Sequence, residues 1–195
     1  MNFCEYLLKG KKNSNKKLFI DKKILFSHLY DHVREASKEF KKFKRKIIAL
    51  SFENSYEFLV FYLAIIKSNN VVLIIEKGLP NKEYFRLMQK YKINILFTDR
   101  EIKLNNENKK FKFIPEKFFF SKKNYFKIIN NIKHQEKNKN YLEDVCVILF
   151  TSGSTGEKKG VMLTNKNLIF NTNAILKSLP IKKSDVVNLV LPCSY

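Results

Sequence analysis

Ten consecutive residues, 151–160, combine hydroxyl, glycine and lysine side chains in a pattern suited to binding a polyanion. Glycines let the backbone adopt positive φ and bring its amides close to a ligand. Successive amides then form a concave anion site, to which hydroxyl and ammonium groups add donors. Apolar runs at 145–150 and 161–163 flank this segment and indicate two strands. The sequence therefore predicts an anion-binding loop between a buried strand and a return strand.

The two best-known phosphate-binding motifs do not fit this loop. In the Walker pattern G-x-x-x-x-G-K-[ST], counting from Gly153 places Lys158 where a glycine is required. Counting from Gly156 fails at once. The dinucleotide-binding pattern also fails, because the chain contains no G-x-G.

The loop closely resembles the phosphate-loop signature of the adenylate-forming enzymes, which include acyl-CoA synthetases, carrier-protein ligases and peptide-synthetase adenylation domains. Their pattern runs roughly [YF]-T-S-G-[ST]-T-G-x-P-K-G-V and continues, after a short apolar step, as T-[HN]-x-N-L. Residues 150–161 match it with one departure, Lys158 in the position of the proline, and residues 164–168 continue the match. Lysine removes the φ restraint of proline and adds a charge, so we expect a more mobile loop that still binds phosphate.

The resemblance implies a two-step ligation. A carboxylic acid attacks the α-phosphorus of ATP, releasing pyrophosphate, and the thiol of CoA or of a phosphopantetheine carrier protein then takes the acyl group. In this chain the loop amides and hydroxyls would wrap the β- and γ-phosphates, with Lys159 as the catalytic point charge. Thr151 or Thr155 would touch Mg²⁺. The phosphate-binding residues implied in this way are Thr151, Ser152, Gly153, Ser154, Thr155, Gly156 and Lys159.

The resemblance covers nearly the whole chain but only the front portion of the family's large domain. It implies a first α/β subdomain with a polar linker at 1–140 and a phosphate-loop segment at 141–195 that continues past the chain end. The C-terminal lid domain is absent, so we expect the 195-residue chain alone to be inactive and the missing C-terminal part to be a required partner. By position, Ser194 and Tyr195 would line the acyl pocket.

Composition gives a second hypothesis. The formal charge of +20 is typical of proteins that bind nucleic acid or an anionic membrane. However, arginine occurs at only four positions, and the lysines are spread over the whole chain. These features argue against nucleic acid as a partner, although a basic nucleotide- or nucleic-acid-binding protein without adenylation activity stays the alternative. A phosphotransferase with a non-Walker loop is a second rival.

The cysteines and the apolar runs indicate a cytoplasmic protein. Cys4, Cys146 and Cys193 are odd in number and widely spaced, as expected of reduced thiols. No signal peptide is visible at the N-terminus. The most apolar run, 58–66, is far shorter than the roughly 20 residues that span a bilayer, so we expect no membrane span.

Hydrophobic periodicity predicts an α/β fold of alternating β–α units with mainly parallel sheets, resembling the N-terminal part of the large domain of adenylate-forming enzymes. An amphipathic helix should begin at Ser27, and Asn54 or Ser55 should cap a buried helix. Asn69 stands where the family often has glycine, and asparagine tolerates the left-handed backbone. Besides the two strands that flank the loop, the predicted strands are 46–52, 71–75, 94–99 and 186–191, and the predicted helices begin at 27, 56, 81 and, after a Thr164 cap, at 165.

Two further stretches are predicted with less regular structure. Residues 103–112 and 130–140 are polar and are interpreted as loops. The aromatic residues at 118–120 and 125–126 are interpreted as core or edge packing rather than as a platform for stacking bases. His28 and His32 share a helix face, as two zinc ligands can, but no third ligand is apparent, and we interpret both as surface residues.

Overall fold

The computed structural model describes residues 1–19, 23–102, 111–130, 144–151, 159–182 and 184–193. Within them, seven strands form one sheet in the order β4-β5-β3-β1-β2-β6-β7. The strands are β1 (Ile47–Ser51), β2 (Val71–Ile74), β3 (Ile95–Thr98), β4 (Phe111–Glu116), β5 (Tyr125–Asn130), β6 (Val145–Thr151) and β7 (Lys159–Thr164). The helices are α1 (Phe3–Leu8), α2 (Phe26–Phe40), α3 (Tyr56–Lys67), α4 (Asn81–Lys90) and α5 (Asn165–Ser178).

The middle of the sheet is parallel, as the β–α alternation predicts. β1 lies between β2 and β3, and β2 pairs in parallel with β6. All residues of β2 and β3 are buried, because helices cover both faces of the sheet. Both outer parts are antiparallel: β5 and β4 lie beyond β3, and β7 lies beyond β6. Strands that precede and follow residue 140 in sequence belong to this one sheet, and the proposed division of the chain at that residue stays a prediction.

The helices sort onto the two faces by their apolar positions. Residues of α1, α2 and α3 pack into one cluster with alternate residues of the central strands, and α4 packs into a second cluster on the other face. α3 spans the predicted residues, and the Ser55 hydroxyl caps it by accepting a hydrogen bond from the Phe58 amide at 3.0 Å. α2 begins one residue earlier than predicted, at Phe26. Asn69 has φ of 60°, which confirms the left-handed turn predicted after α3.

The β4–β5 hairpin was not predicted from the sequence. The segment predicted as loop, 103–112, overlaps the first residues of β4, and the segment 130–140 begins with the last residue of β5. The other residues of these two segments, 103–110 and 131–140, lie outside the described part of the chain. The aromatic residues between them pack as expected, since Tyr125 is fully buried and Phe118 contacts the core, although Phe119 is 74% exposed.

The predicted strand at 186–191 is wrong. Residues 184–193 form no ladder with any other described segment. Val187 and Val190 are 81% and 77% exposed. Local β-propensity does not make a strand without a neighbouring backbone that satisfies its amide and carbonyl groups.

All three cysteines are free, as predicted, with Cys4 and Cys146 buried and Cys193 half-buried. Of the helices described above, none combines the length and the apolar character needed to cross a bilayer.

Candidate functional site

The β6–β7 hairpin places the predicted anion-binding loop at one edge of the sheet. Because β6 runs parallel to β2, its last residue, Thr151, lies at the edge where β1, β2 and β3 also end. Ligands of open α/β sheets bind outside this carboxyl edge. The last described pair of the hairpin is Thr151 with Lys159, so both residues stand at the entrance of the loop.

Close packing holds the base of the hairpin. Gly160 pairs with Phe150, and a Cβ at Gly160 would lie 3.2 Å from Cγ2 of Ile148. The Phe150 ring lies 4.9 Å, centroid to centroid, from the ring of Tyr91 at the end of α4. The hairpin is therefore anchored to both the sheet and α4 immediately before the loop begins.

Thr151 and Lys159 are both exposed, and their contacts leave groups available to a ligand. The Thr151 hydroxyl donates a hydrogen bond to the Lys159 carbonyl at 3.4 Å, so the lone pairs of its oxygen stay open. No carboxylate of the described residues forms an ion pair with the Lys159 ammonium. One hydroxyl oxygen and one ammonium group thus face solvent at the loop entrance.

The structure brings together only these two of the predicted site residues. Ser152, Gly153, Ser154, Thr155 and Gly156 lie outside the described residues, as does Lys158. Ser194 and Tyr195, predicted to line an acyl pocket, also lie outside them. The roles given to all of these residues stay predictions.

The segment just before Ser194 lies at the same carboxyl edge. The Asn54 side chain, directly after β1, donates to the Leu191 carbonyl at 2.7 Å and accepts from the Cys193 amide at 2.9 Å. The chain therefore returns to the end of β1 before it reaches the positions predicted for the acyl pocket. Asn54, considered only as a helix cap in the sequence, makes this contact instead.

Helix α5 begins directly after the hairpin and is fixed by polar contacts at its start. The Thr164 hydroxyl accepts from the Asn167 amide at 3.1 Å, and the Asn167 side chain accepts from the Thr164 amide at 3.0 Å. This capping box confirms the predicted cap at Thr164. Asn165 accepts a hydrogen bond from the Phe3 amide at 2.8 Å, which ties α1 to the start of α5.

A second polar group at the carboxyl edge was missed by the sequence reasoning. Tyr84 is fully buried, and its hydroxyl lies 2.8 Å from the Ser51 hydroxyl and accepts from the Gly78 amide at 3.2 Å. Lys77 spans the ends of three strands, with its ammonium 3.3 Å from Asp99 and 3.2 Å from Glu53. For Glu53, Lys77 and Asp99 the available signal was position, since each lies at or just after the end of a predicted strand, whereas Tyr84 lies within α4 and had no such signal.

Lys77 is held as a charged cross-link rather than as a free cation. Burial alone lowers the pKa of its ammonium, but the charge of Asp99 and the hydrogen bonds with Glu53 and Asp99 outweigh burial, so its pKa is raised. The Lys77 ammonium contacts the residues that follow β1 and β3, whereas Lys159 lies at the loop entrance. Among the described residues at this edge, Lys77 is paired with carboxylates, whereas Lys159 has no carboxylate partner.

The described residues fit a magnesium ion only as a partner of phosphate. They contain no group of three histidine, cysteine or acidic side chains that could hold a metal. Mg²⁺ is commonly bound through one or two protein oxygens together with substrate phosphates and water. The open lone pairs of the Thr151 hydroxyl suit that arrangement.

The chain matches one protein family over most of its length. The family model described as "AMP-binding enzyme" matches residues 9–195. Among curated proteins, gramicidin S synthase 2 from Brevibacillus brevis is 25% identical over 185 residues, which are 91% of this chain and 4% of that protein. Long-chain-fatty-acid–CoA ligase 1 from Schizosaccharomyces pombe is 41% identical over 54 residues, 27% of this chain and 8% of that protein.

Solved structures share the fold. The o-succinylbenzoate CoA synthetase from Bacillus subtilis, solved with its acyl-adenylate intermediate, superposes with a TM-score of 0.67 at 14% identity. The match covers 98% of this chain and 50% of that one. The chain therefore spans half of this structure and only 4% and 8% of the two curated relatives.

Proposed function

This chain belongs to the AMP-binding enzyme family, and we propose that it is the N-terminal portion of an ATP-dependent acid–thiol ligase. In the proposed reaction a carboxylate attacks the α-phosphorus of ATP. The P–O bond to pyrophosphate breaks, and the acyl-adenylate forms. A thiol then displaces AMP from the acyl carbon and loses its proton. The relatives support this class of reaction, since one is named as a CoA ligase and another was solved with an acyl-adenylate.

The observation that carries the proposal is the geometry at the loop entrance. A strand of the parallel sheet ends at Thr151, and the antiparallel return begins at Lys159, whose ammonium has no carboxylate partner among the described residues. Pyrophosphate gains negative charge as it leaves, and fixed donors around its oxygens stabilise that charge. A loop opening at the carboxyl edge between these residues is well placed to supply such donors.

In the proposed mechanism Lys159 pairs with the β- and γ-phosphates as a point charge. The amides of 153–156 and the hydroxyls of Ser152, Ser154 and Thr155 wrap the same phosphates. Thr151 or Thr155 would contribute a hydroxyl oxygen to a bound magnesium ion. When bound, Mg²⁺ neutralises part of the triphosphate charge.

The substrates are proposed at the level of chemical class. The acid is a carboxylic acid, and its pocket includes Ser194 and Tyr195, which follow the segment held by Asn54. The acceptor is the thiol of CoA or of a carrier-protein phosphopantetheine. We infer that residues 1–140 form a first subdomain and 141–195 a phosphate-loop segment, which a further C-terminal part would complete. The 195-residue chain alone is then expected to bind ATP without forming an adenylate.

The test measures the binding of MgATP to the 195-residue chain by isothermal titration calorimetry. Lys159→Ala should weaken binding by roughly ten- to a hundredfold, because a hydrogen bond to a charged group contributes about 1.5–3 kcal/mol. Lys182→Ala, which removes an equal charge from an exposed position, should change binding little. Equal losses in the two variants would contradict the assignment of Lys159. Lys158→Pro should change the affinity only modestly.

The same preparation separates the rival functions. Retention of DNA or RNA at physiological ionic strength, without ATP binding, would favour a basic nucleic-acid-binding protein. In a longer form of the protein, ADP as the product would indicate a phosphotransferase, whereas AMP and pyrophosphate would support the ligase. Acid-dependent ATP–pyrophosphate exchange by the 195-residue chain would show that the expected inactivity is wrong.

A further inference from the structure

A small basic pocket lies between the N-terminal helix α1 and the end of α3. Its volume is about 280 Å³, and none of its lining residues belongs to the β6–β7 hairpin. Lys9, Lys12 and Lys67 line it, together with Tyr30, Glu5 and the buried Cys4. The volume is just below the roughly 300–1,000 Å³ of sites for small organic molecules, so the pocket suits a compact ligand.

The backbone explains why three lysines share one pocket. Gly10, directly after Lys9, has φ of 69°, a conformation that glycine adopts readily. The Lys11 amide donates to the Leu8 carbonyl at 3.0 Å, which closes a tight turn after α1. This turn places Lys9 and Lys12 beside Lys67, the last residue of α3.

The protein provides little negative charge to balance these lysines. Among the described residues, no carboxylate forms an ion pair with Lys9, Lys12 or Lys67. Glu5 is the one acidic residue of the lining, and its carboxylate already accepts the Asn2 amide at 3.0 Å in the capping box of α1. Three ammonium groups that line one small pocket repel one another.

The remaining polar groups of the lining do not supply that charge either. Burial raises the pKa of the Cys4 thiol to about 12, although the charge of Lys67 acts in the opposite direction. The thiol is therefore neutral at physiological pH. The Tyr30 hydroxyl adds a group that can donate a hydrogen bond to an anion.

We propose that this pocket binds a phosphate dianion, either inorganic phosphate or the phosphate group of a monoester. Lysine binds phosphate as a point charge, and three of them would offset the charge of one dianion. Lys67 is half-buried and contributes most, whereas Lys9 and Lys12 are exposed and screened by salt. The site is separate from the ATP loop and does not depend on the ligase function.

The test titrates the 195-residue chain with inorganic phosphate and, separately, with methyl phosphate at constant ionic strength. Backbone amide shifts in ¹⁵N–¹H spectra report the binding. We expect saturable shifts at residues 9–12 and 67, with a dissociation constant of roughly 1 mM. Lys67→Gln should weaken binding about tenfold, and Lys9→Gln or Lys12→Gln by severalfold. Binding of both probes indicates a monoester site, and binding of inorganic phosphate alone indicates a site for the free ion.

A matched control tests whether the high net charge alone explains binding. Lys122→Gln removes one charge from an exposed turn outside the pocket and should leave the affinity unchanged. The proposal is wrong if neither probe saturates, if Lys122→Gln weakens binding as much as Lys67→Gln, or if Lys159→Ala abolishes binding. Lys9 lies in an exposed turn, so Lys9→Gln keeps the test valid if Lys67→Gln fails to fold.

Discussion

Helices α3 and α5 are similar in length but are held in opposite ways. α3 has 12 residues, eight of them buried between the sheet and its neighbouring helices. α5 has 14 residues and none is buried. Leu168 and Ile169 near its start lie against the core, whereas Leu176 and Leu179 near its end are each 53% exposed.

Polar contacts hold α5 where apolar packing holds α3. α5 has its capping box at Thr164, the contact of Asn165 with the Phe3 amide, and a hydrogen bond from the Tyr6 hydroxyl to Asn173 at 2.6 Å. Net contributions of such hydrogen bonds are about 0.5–1.5 kcal/mol each, whereas burial of one large side chain contributes about 1.5–3 kcal/mol. Stability should therefore reside mainly around α3 rather than around the weakly packed α5.

The largest difference in stability should appear when a buried aromatic ring of α3 and an exposed ring of α5 are truncated in turn. Phe61 of α3 is fully buried, and its ring centroid lies 4.8 Å from that of Phe97 and 5.0 Å from that of Tyr125. Phe61→Ala should lower the free energy of unfolding by about 3–5 kcal/mol through lost burial and a cavity. Phe170 of α5 is 75% exposed, and Phe170→Ala should change the free energy of unfolding by less than about 0.5 kcal/mol. Urea unfolding measures both.

A comparable loss from Phe170→Ala would mean that α5 is packed in solution, and the contrast between the two helices would then be wrong.

A buried lysine tests whether the α3 side of the molecule also depends on polar contacts. The Lys127 side chain is 6% exposed, and its ammonium contacts Glu39 at 2.9 Å and also Glu116. Lys127→Ala leaves Glu116 without this partner and Glu39 with Lys42 alone, and should cost about 3 kcal/mol. Lys38→Ala removes a lysine whose side chain is 65% exposed and should cost less than about 1 kcal/mol. Urea unfolding at pH 7 compares the two variants.

The Lys127 variant should also change the response to acid. Burial raises the pKa of Glu39, but hydrogen bonds with Lys42 and Lys127 outweigh it, so the pKa is lowered on folding. A lowered carboxyl pKa contributes stability that is present above its unfolded value, near 4.5, and is lost as pH falls through the folded value. The loss of stability on acidification below pH 4.5 should therefore be smaller in Lys127→Ala than in the parent chain. An unchanged slope would contradict the role of this ion pair.

The same contrast explains which features the sequence predicted. Around α3 the periodicity, the Ser55 cap and the turn at Asn69 agree with one another, and each is confirmed. The β6–β7 hairpin and the Thr164 cap were likewise predicted, because an apolar strand, a return strand and a capping residue are local signals. Local signals were sufficient wherever the tertiary contacts reinforced them.

The errors arise where pairing partners decide the structure. The alternation of apolar and polar residues at 111–113 was an available signal for β4, but the polar composition around it favoured a loop. At 186–191 the opposite occurred, since strong β-propensity predicted a strand that no described segment pairs with. For the candidate site, the sequence predicted the loop and its two ends, whereas the contacts of Tyr84, Lys77 and Asn54 depend on strand order.

Removing the N-terminal cap of either helix should cost about 1 kcal/mol, but the loss should be local in α5 and global in α3. Thr164→Ala and Ser55→Ala each delete a side-chain cap, which typically costs about 0.5–2 kcal/mol. In α5 the lost cap should open the helix locally, because no buried residue holds it. In α3 the cost should appear only as a lower global stability. Amide hydrogen exchange should therefore accelerate selectively in α5 for Thr164→Ala, and uniform acceleration across the chain would contradict local opening.

The smallest effect concerns the start of α3, where His32 of α2 contacts Tyr56. Nδ1 of His32 lies 2.7 Å from the Tyr56 hydroxyl, and the His32 ring stacks on Phe120 at 4.9 Å. Thus His32, predicted as a surface residue, is half-buried and packed. Burial lowers the pKa of its imidazole, the positive charge of His28 lowers it further, and Asp31 acts in the opposite direction. Burial raises the pKa of Tyr56, so its hydroxyl stays protonated and can donate to Nδ1 of neutral His32 when the ring proton is on Nε2.

Protonation of His32 removes this acceptor, so the stability that the contact contributes is lost at low pH. A histidine whose pKa is lowered on folding contributes stability that is fully present above its unfolded pKa, near 6.5, and is lost as pH falls through the folded value. Tyr56→Phe should therefore cost about 1 kcal/mol at pH 7.5 and less at pH 5.5, measured by urea unfolding at both values. His28→Asn keeps the His32–Tyr56 contact and should retain the pH dependence. If Tyr56→Phe costs the same at both values, the contact does not depend on neutral His32, and the start of α3 is held by ring packing alone.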